Sequence, residues 1–315
     1  MHSNADDMRR HLETDQTACY AQDGRIIPCE DTRQDASMAE TGRRLPGRRF
    51  RPHMQVVKDA FTGAVWTRDA NPARFPQTWH EALATVADMR GRRAFGYGGW
   101  QLPSRGLLFS LISHQYINPA ITADHPFENI FNGYYWTQDS CCRLPDQAWY
   151  VHLGGGRIHR GMKHGSYLVW PVCPGAAGTP PFGGAAPDRF EAAADGVYDR
   201  HTGLIWSTDA DPLGRQRDWQ AALSAVRRFD GGPSDRPQGW RLPNIRELES
   251  LVDLDAHTPA LPAGHPFVNV QEGYWSSTTS VYEPRYAWVL YSRDGAVGVG
   301  FKPGAAFHAW PVRRP

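Results

Sequence analysis

Between Gly239 and Asp253 the sequence GWRLPNIRELESLVD places Ile245, Leu248, Leu251 and Val252 at helical spacing, so one face of a short helix is apolar. Pro243 biases its predecessor towards extended backbone, Asn244 is a good N-cap, and Glu247 sits where a carboxylate reaches back to the cap. The pattern predicts a bulky ring, a turn and an amphipathic helix packed as one unit. The same unit stands earlier as GWQLPSRGLLFSLIS, from Gly99 to Ser113, an offset of 239 − 99 = 140.

The rest of the chain follows that offset. Residues 57–70 read as two short strands around Thr62-Gly63, and Thr78 with Glu81 forms a capping box opening a helix through about Arg90. After a loop over 118–131 come the strand-like runs YYWTQ and QAWYVHL, a turn at Gly154–Gly156 and a last strand over 168–172. Strands and turns at this density predict a small antiparallel sheet. Arg49-Phe50 recurs as Arg189-Phe190, Trp66 as Trp206, Trp79 as Trp219, Trp100 as Trp240, and His125-Pro-Phe as His265-Pro-Phe. Trp136 and Trp149 recur at 139, as Trp275 and Trp288, because Tyr134-Tyr135 becomes the single Tyr274. A period this long is a duplicated domain, not a solenoid repeat. The expected order is an N-terminal arm over 1–47, a first domain over 48–173, a Pro/Gly/Ala linker over 174–187 and a second domain over 188–315.

The copies differ in one telling place. Arg241, Arg246, Glu247 and Glu249 correspond to Gln101, Gly106, Leu107 and Phe109, so the first copy's helix loses its charged face. Such a surface invites cover by the other domain, the arm or another subunit.

Composition narrows the class. A net charge of +1 gives no general pull towards nucleic acid or anionic lipid, and no apolar run approaches a membrane span. The basic cluster Arg43, Arg44, Arg48, Arg49 and Arg51 reads either as a solvated arm or as a site for sulfated or phosphorylated polymers. Cys19 and Cys29 flank an Asp23-Gly24 turn in a way that suits a disulfide and an oxidising compartment. The polar start MHSNADDMRR has no leader-like apolar stretch, which points the other way, to the cytoplasm.

The ordered set TGLIW, GWRLPNIRELESLVD, HPF, GYWSST, AWVLY with its turn glycine, and AWPVR resembles the DUF1566 family, the Lcl C-terminal domain family named after a collagen-like bacterial adhesin. Both copies carry the likeness, the second more closely. More distantly, the helix unit and tryptophan-rich sheet are similar to C-type-lectin-like folds, which include formylglycine-generating enzymes. The resemblance implies an α+β fold of two tandem C-type-lectin-like domains, each a small twisted antiparallel sheet with two short helices. It implies a secreted or surface recognition protein, since the adhesin binds sulfated glycosaminoglycans; this chain lacks the adhesin's collagen repeat and so its basis for trimerisation. The expected location is extracellular or at a bacterial surface.

No catalytic constellation emerges. Gly154–Gly156 opens no helix, Ser276-Ser277-Thr278 lies in no nucleophile elbow, and Cys141-Cys142 has no counterpart in the second copy. No cofactor or metal is expected: His125 and His265 read as structural, and Asp253 and Asp255 become Ser113 and Gln115 in the first copy. The candidate ligand site is the stretch 280–310, with Tyr282 and Tyr286 as stacking surfaces and Glu283, Arg285, Arg293 and Lys302 as polar partners. Arg157, Arg160 and Lys163, with Arg143, His159 and His164, form a more basic equivalent in the first copy. The expected partner is a glycan or a surface protein. The alternative is a structural subunit, in which the duplicated sheets and the apolar first-copy helix mediate subunit contacts, a homo-oligomer among them, without a glycan.

Overall fold

A computed structural model describes residues 12–38, 49–175, 188–229 and 239–315. The chain divides into two compact units: the first copy forms one, and the second copy together with the N-terminal segment forms the other. The expected basic cluster lies mostly outside the described residues, at Arg43, Arg44 and Arg48.

In the N-terminal segment, β1 (Cys19–Tyr20) and β2 (Ile26–Ile27) pair antiparallel around Gly24, whose φ of +88° a side chain would resist. The Cys19–Cys29 disulfide ties this hairpin, and α1 (Asp35–Met38) follows.

The first domain runs β3 (Phe50–His53), β4 (Val56–Asp59), β5 (Val65–Thr67), α2 (Trp79–Gly91), α3 (Arg105–Phe109), β6 (Tyr134–Ser140), β7 (Gln147–His152), β8 (Ile158–Met162) and β9 (Val172–Cys173). Strands β3, β4, β5 and β9 form one antiparallel sheet, so the two ends of the domain meet, and β6, β7 and β8 form a second. The second domain repeats this with β10 (Phe190–Ala193), β11 (Gly196–Asp199), β12 (Leu204–Trp206), α4 (Trp219–Arg227), α5 (Ile245–Ser250), β13 (Tyr274–Thr279), β14 (Tyr286–Tyr291), β15 (Ala296–Phe301) and β16 (Val312–Arg313). Its sheets are β10-β11-β12-β16 and β13-β14-β15. The protein is thus two tandem sheet-rich domains with few helices. Among the described residues no helix is long and apolar enough to cross a membrane.

Local chemistry explains why these elements form. Thr78 Oγ1 accepts from the Glu81 N–H while the Glu81 carboxylate accepts from the Thr78 N–H at 2.8 Å, and Asn244 and Glu247 do the same for α5. Trp66, Trp100, Trp170, Trp206, Trp240 and Trp310 are all buried, each pair at equivalent places. The second core gathers Trp240 with Trp219, Leu242, Leu223, Val226 and Trp275.

Arg49 corrects an expectation. It is no free member of a basic cluster: its guanidinium forks onto the Asp59 carboxylate at 3.0 and 2.8 Å and donates to the Ser110 carbonyl at 2.9 Å. Arg189 repeats this onto Asp199 and the Ser250 carbonyl. A planar fork matches a carboxylate in two bonds, so the pair fixes the first strands against the end of the short helix. The charged residues of α5 are likewise no solvated face, since Arg246, Glu247 and Glu249 are all buried. Arg241 reaches Glu247 with bonds of 2.7 and 2.6 Å.

The N-terminal segment lies on the charged side of this unit. Asn244 Nδ2 donates to the Leu12 carbonyl at 2.8 Å, and Thr278 Oγ1 donates to Asp35 at 2.6 Å. The Gln16 carboxamide spans Thr279, accepting from its N–H at 3.0 Å and donating to its carbonyl at 2.8 Å.

Candidate functional site

The residues singled out in the second copy do not converge. Tyr282 is exposed, and Arg285 is exposed but forks onto Glu283 at 2.9 and 3.2 Å. Its chain also abuts the disulfide hairpin, where a Cβ on Gly24 would lie 3.2 Å from Arg285 Cγ. The Tyr286 ring rests against Phe301 at 5.3 Å, which leaves it half-buried. Arg293 is exposed at the far end of β14, a six-residue strand, so roughly 17–20 Å of extended backbone separates it from Arg285. Lys302 is not on the surface at all. It is 0% exposed, with Nζ 4.1 Å from the Trp219 ring centre and 3.0 Å from Thr279 Oγ1.

The basic triad of the first copy is split as well, because side chains alternate along a strand. Arg157 is exposed beside His152, whereas Arg160 belongs to the opposite face of β8, its guanidinium over the buried Trp149 ring at 5.8 Å. Lys163 lies past the strand end, over Trp79 at 4.3 Å and donating to Ser140 Oγ at 2.7 Å.

What the first domain does gather is a set of rings on one face of β6-β7-β8. Tyr134 pairs across the strands with His152, Trp136 with Tyr150, and Tyr150 with His159. Tyr167 joins them from the loop after β8, and its ring lies so close to β8 that a Cβ on Gly161 would meet it at 2.6 Å. Ring centres separate by 4.8 Å for Tyr134–Tyr150 and Tyr134–His152, 5.1 Å for Tyr150–Tyr167 and 4.4 Å for Trp136–Tyr167. Tyr134 is 45% exposed, while His159 and Arg157 are open at the rim. Burial, then the neighbouring Tyr167 and Tyr134 hydroxyls, pushes Tyr150 up to about 12, while Arg157 and Arg160 pull the other way. Burial and Arg157 hold His152 below the usual histidine range. At neutral pH Tyr150 is therefore an uncharged phenol and His152 an uncharged imidazole, with Arg157 at the edge.

The second domain closes the same place. Gly273 stands for Tyr134, Val289 for Tyr150, Tyr291 for His152, Gly298 for His159 and Phe307 for Tyr167. There Trp275, Phe307 and Tyr291 pack edge to face at 4.8 and 5.9 Å, and Gly300 lets Phe307 settle on the strand. Only the sheet register puts the members of this contrast on one face.

His125 and His265 are structural. His125 Nδ1 accepts from the Phe127 N–H at 3.2 Å and His265 Nδ1 from the Phe267 N–H at 3.3 Å, each ring stacked on that Phe. Asp253 accepts from the Asp255 N–H at 3.0 Å, the place where Ser113 Oγ accepts from Gln115.

The model of the Lcl C-terminal domain matches residues 55–173 and again residues 195–313, most of both copies. The chain belongs to the Lcl C-terminal domain family. No curated protein matches it. The two Lcl C-terminal domains thus share one framework, the Arg–Asp clamps and buried tryptophans, and differ on one face of the second sheet. The aromatic face belongs to the first domain and the docked N-terminal segment to the second.

Proposed function

We propose that the protein is a non-catalytic recognition or adhesion protein of a bacterial surface, and that its first Lcl C-terminal domain binds glycan through the Tyr134–Tyr150–Tyr167 face. The observation that carries this is the conversion of a closed apolar face into phenols and imidazoles at the same framework positions. Planar rings stack on the C–H faces of sugars, hydroxyls exchange hydrogen bonds with sugar hydroxyls, and Arg157 offers a forked donor at the rim. A rigid sheet holds the groups in register, so little conformational entropy is lost on binding. The C-type-lectin-like reading belongs to the same proposal: the ends of each domain meet in one small sheet, while a separate three-stranded sheet carries the variable surface.

The test is a glycan array followed by calorimetry on the full chain. Tyr134→Ala should weaken binding about tenfold, the loss of about 1.4 kcal/mol of contact, and leave the melting temperature nearly unchanged because the ring is half-exposed. Arg285→Ala with Arg293→Ala should leave affinity unchanged. Loss of binding in that double variant, with Tyr134→Ala silent, would return the site to the second domain. A stable oligomer with no glycan ligand would favour the assembly reading instead.

A further inference from the structure

Twice in the second unit a glutamine carboxamide spans the N–H and C=O of one extended residue. Gln34 accepts from the Tyr20 N–H at 2.9 Å and donates to the Tyr20 carbonyl at 2.9 Å. Gln16 does the same at Thr279 on β13. In both, a side chain stands in for a neighbouring strand at an open sheet edge.

The first domain has the same edge without that cover. Ser140 is the counterpart of Thr279, since Ser140 faces Ala148 as Thr279 faces Ala287, and 279 − 140 = 287 − 148 = 139. The Cys141 N–H donates to the Gln147 carbonyl at 2.9 Å, as Ser280 does to Tyr286. Both residues therefore sit in non-hydrogen-bonded pairs, with their own N–H and C=O turned away from the partner strand. Ser140 is exposed, as is Gln138, and among the described residues nothing bonds to the Ser140 backbone. A cationic donor waits beside each edge. Lys302 Nζ lies 3.0 Å from Thr279 Oγ1 and 3.5 Å from the Tyr20 carbonyl, while Lys163 Nζ lies 2.7 Å from Ser140 Oγ and is only half-buried.

We infer that the β6 edge at Ser140, with Lys163 and Trp79 beside it, is a docking site for an extended polypeptide segment that presents a glutamine side chain. The equivalent edge of the second domain points to this occupant, since Gln16 fills the same place there. An N–H and a C=O aimed the same way need a donor and an acceptor side by side, which a primary carboxamide supplies. The secondary amide of an N-acetyl sugar is trans, with its N–H and C=O pointing apart, so it meets only one of the two. Lys163 then takes a backbone carbonyl of the segment, the role Tyr20 fills for Lys302. The chain's own arm does not fit unaltered. Where Thr278 donates to Asp35, the first domain has Asp139, whose carboxylate already accepts from the Arg105 N–H. Two carboxylates would face each other, so the segment carries no acid there. The site lies on the sheet edge, not on the aromatic face, and does not rest on the glycan reading.

The probe is the acetylated and amidated peptide Glu-Thr-Asp-Gln-Thr-Ala, the sequence of residues 13–18, added to the isotope-labelled full chain. The second domain's edge is filled by its own Gln16, which leaves the first. Saturable shifts of the Ser140 and Cys141 amides are expected, with the Gln→Glu peptide roughly tenfold weaker, the worth of one bidentate contact. Lys163→Gln in the protein should weaken binding as well. Unmoved Ser140 and Cys141 amides, or equal shifts with both peptides, would overturn the proposal. So would the same shifts produced by an oligosaccharide panel. Should Lys163→Gln not fold, the peptide substitution alone still decides.

Discussion

Lys302 holds its ammonium 4.1 Å from the centre of the Trp219 ring, buried, with Thr279 Oγ1 as its near oxygen. Its counterpart Lys163 makes the same contact with Trp79 at 4.3 Å but remains half-open. Burial pushes the Lys302 pKa down to about 7. The folded state therefore holds this proton less tightly than the unfolded chain, and stability from this group rises as pH climbs from 7 towards 10. At about 1.36 kcal/mol per pH unit the gain is on the order of 2–4 kcal/mol, the ring's attraction for the cation reducing it. Denaturant titrations of the wild type and Lys302→Met across that range check this: the difference between them should carry the slope, and parallel curves would contradict it.

Asp35 should make the docked arm sensitive to acid in the opposite window. Its Oδ2 accepts from Thr278 and Thr14 at 2.6 and 2.7 Å, inside a cleft of about 350 Å³ that Glu13, Arg33, Arg241, Glu247 and Arg314 also line. Burial pushes the carboxyl up to about 6, the two hydroxyls and Arg241 pull it down, and Glu247 pushes it up again. The docked arm thus holds this proton more tightly than a free carboxyl at 3.8 does. Docking should be firmest below pH 4, weaken by up to about 3 kcal/mol through pH 6 and stay level above. Hydrogen exchange at the Thr279 amide, which Gln16 covers, reports it; Asp35→Asn should flatten the profile.

Trp240→Ala should cost about 3–5 kcal/mol, as for other large core aromatics. The ring is 3% exposed, meets Phe229 edge to face at 5.5 Å and lies under the Arg313 guanidinium at 5.5 Å. Calorimetry should show a lowered transition for the second domain, and a loss below 1 kcal/mol would mean the unit is not packed as described.

Replacing Cys19 and Cys29 by Ser should loosen the arm, because the disulfide closes a short loop and Cys19 is fully buried. The expected loss is roughly 2–3 kcal/mol, the lower part of the range for native disulfides. Limited proteolysis within residues 12–38 should speed up while the two Lcl C-terminal domains stay intact. Thiol labelling of protein from its native compartment, without reductant, should leave both cysteines unmodified.

Much of the framework was legible because it is written in local chemistry. The Thr78–Glu81 and Asn244–Glu247 capping boxes, the Gly63 turn and the paired tryptophans all depend on neighbours within a few residues or on an offset visible in the chain. The site was harder to read. Lys302 reads as a surface cation after a return strand, and nothing nearby in sequence says that Tyr20 and Trp219 enclose it. Arg285 and Arg293 look like one cluster in a line of text, yet a straight strand holds them apart. The aromatic face went unread because Tyr134, Tyr150 and Tyr167 are spread over 34 positions and mixed with core rings.

The sequence by itself determined the duplication and many elements of each copy, since these follow from periodicity, caps and the recurrence of bulky residues, and its ordered motifs carried the resemblance to the family. Tertiary structure alone decided which residues share a face, because that depends on strand register, and a ladder that slips by one residue sends every side chain to the other side. It also decided that residues 12–38 fill the edge of the second domain. That edge meets Gln16 across 263 positions of chain, a contact no local rule encodes.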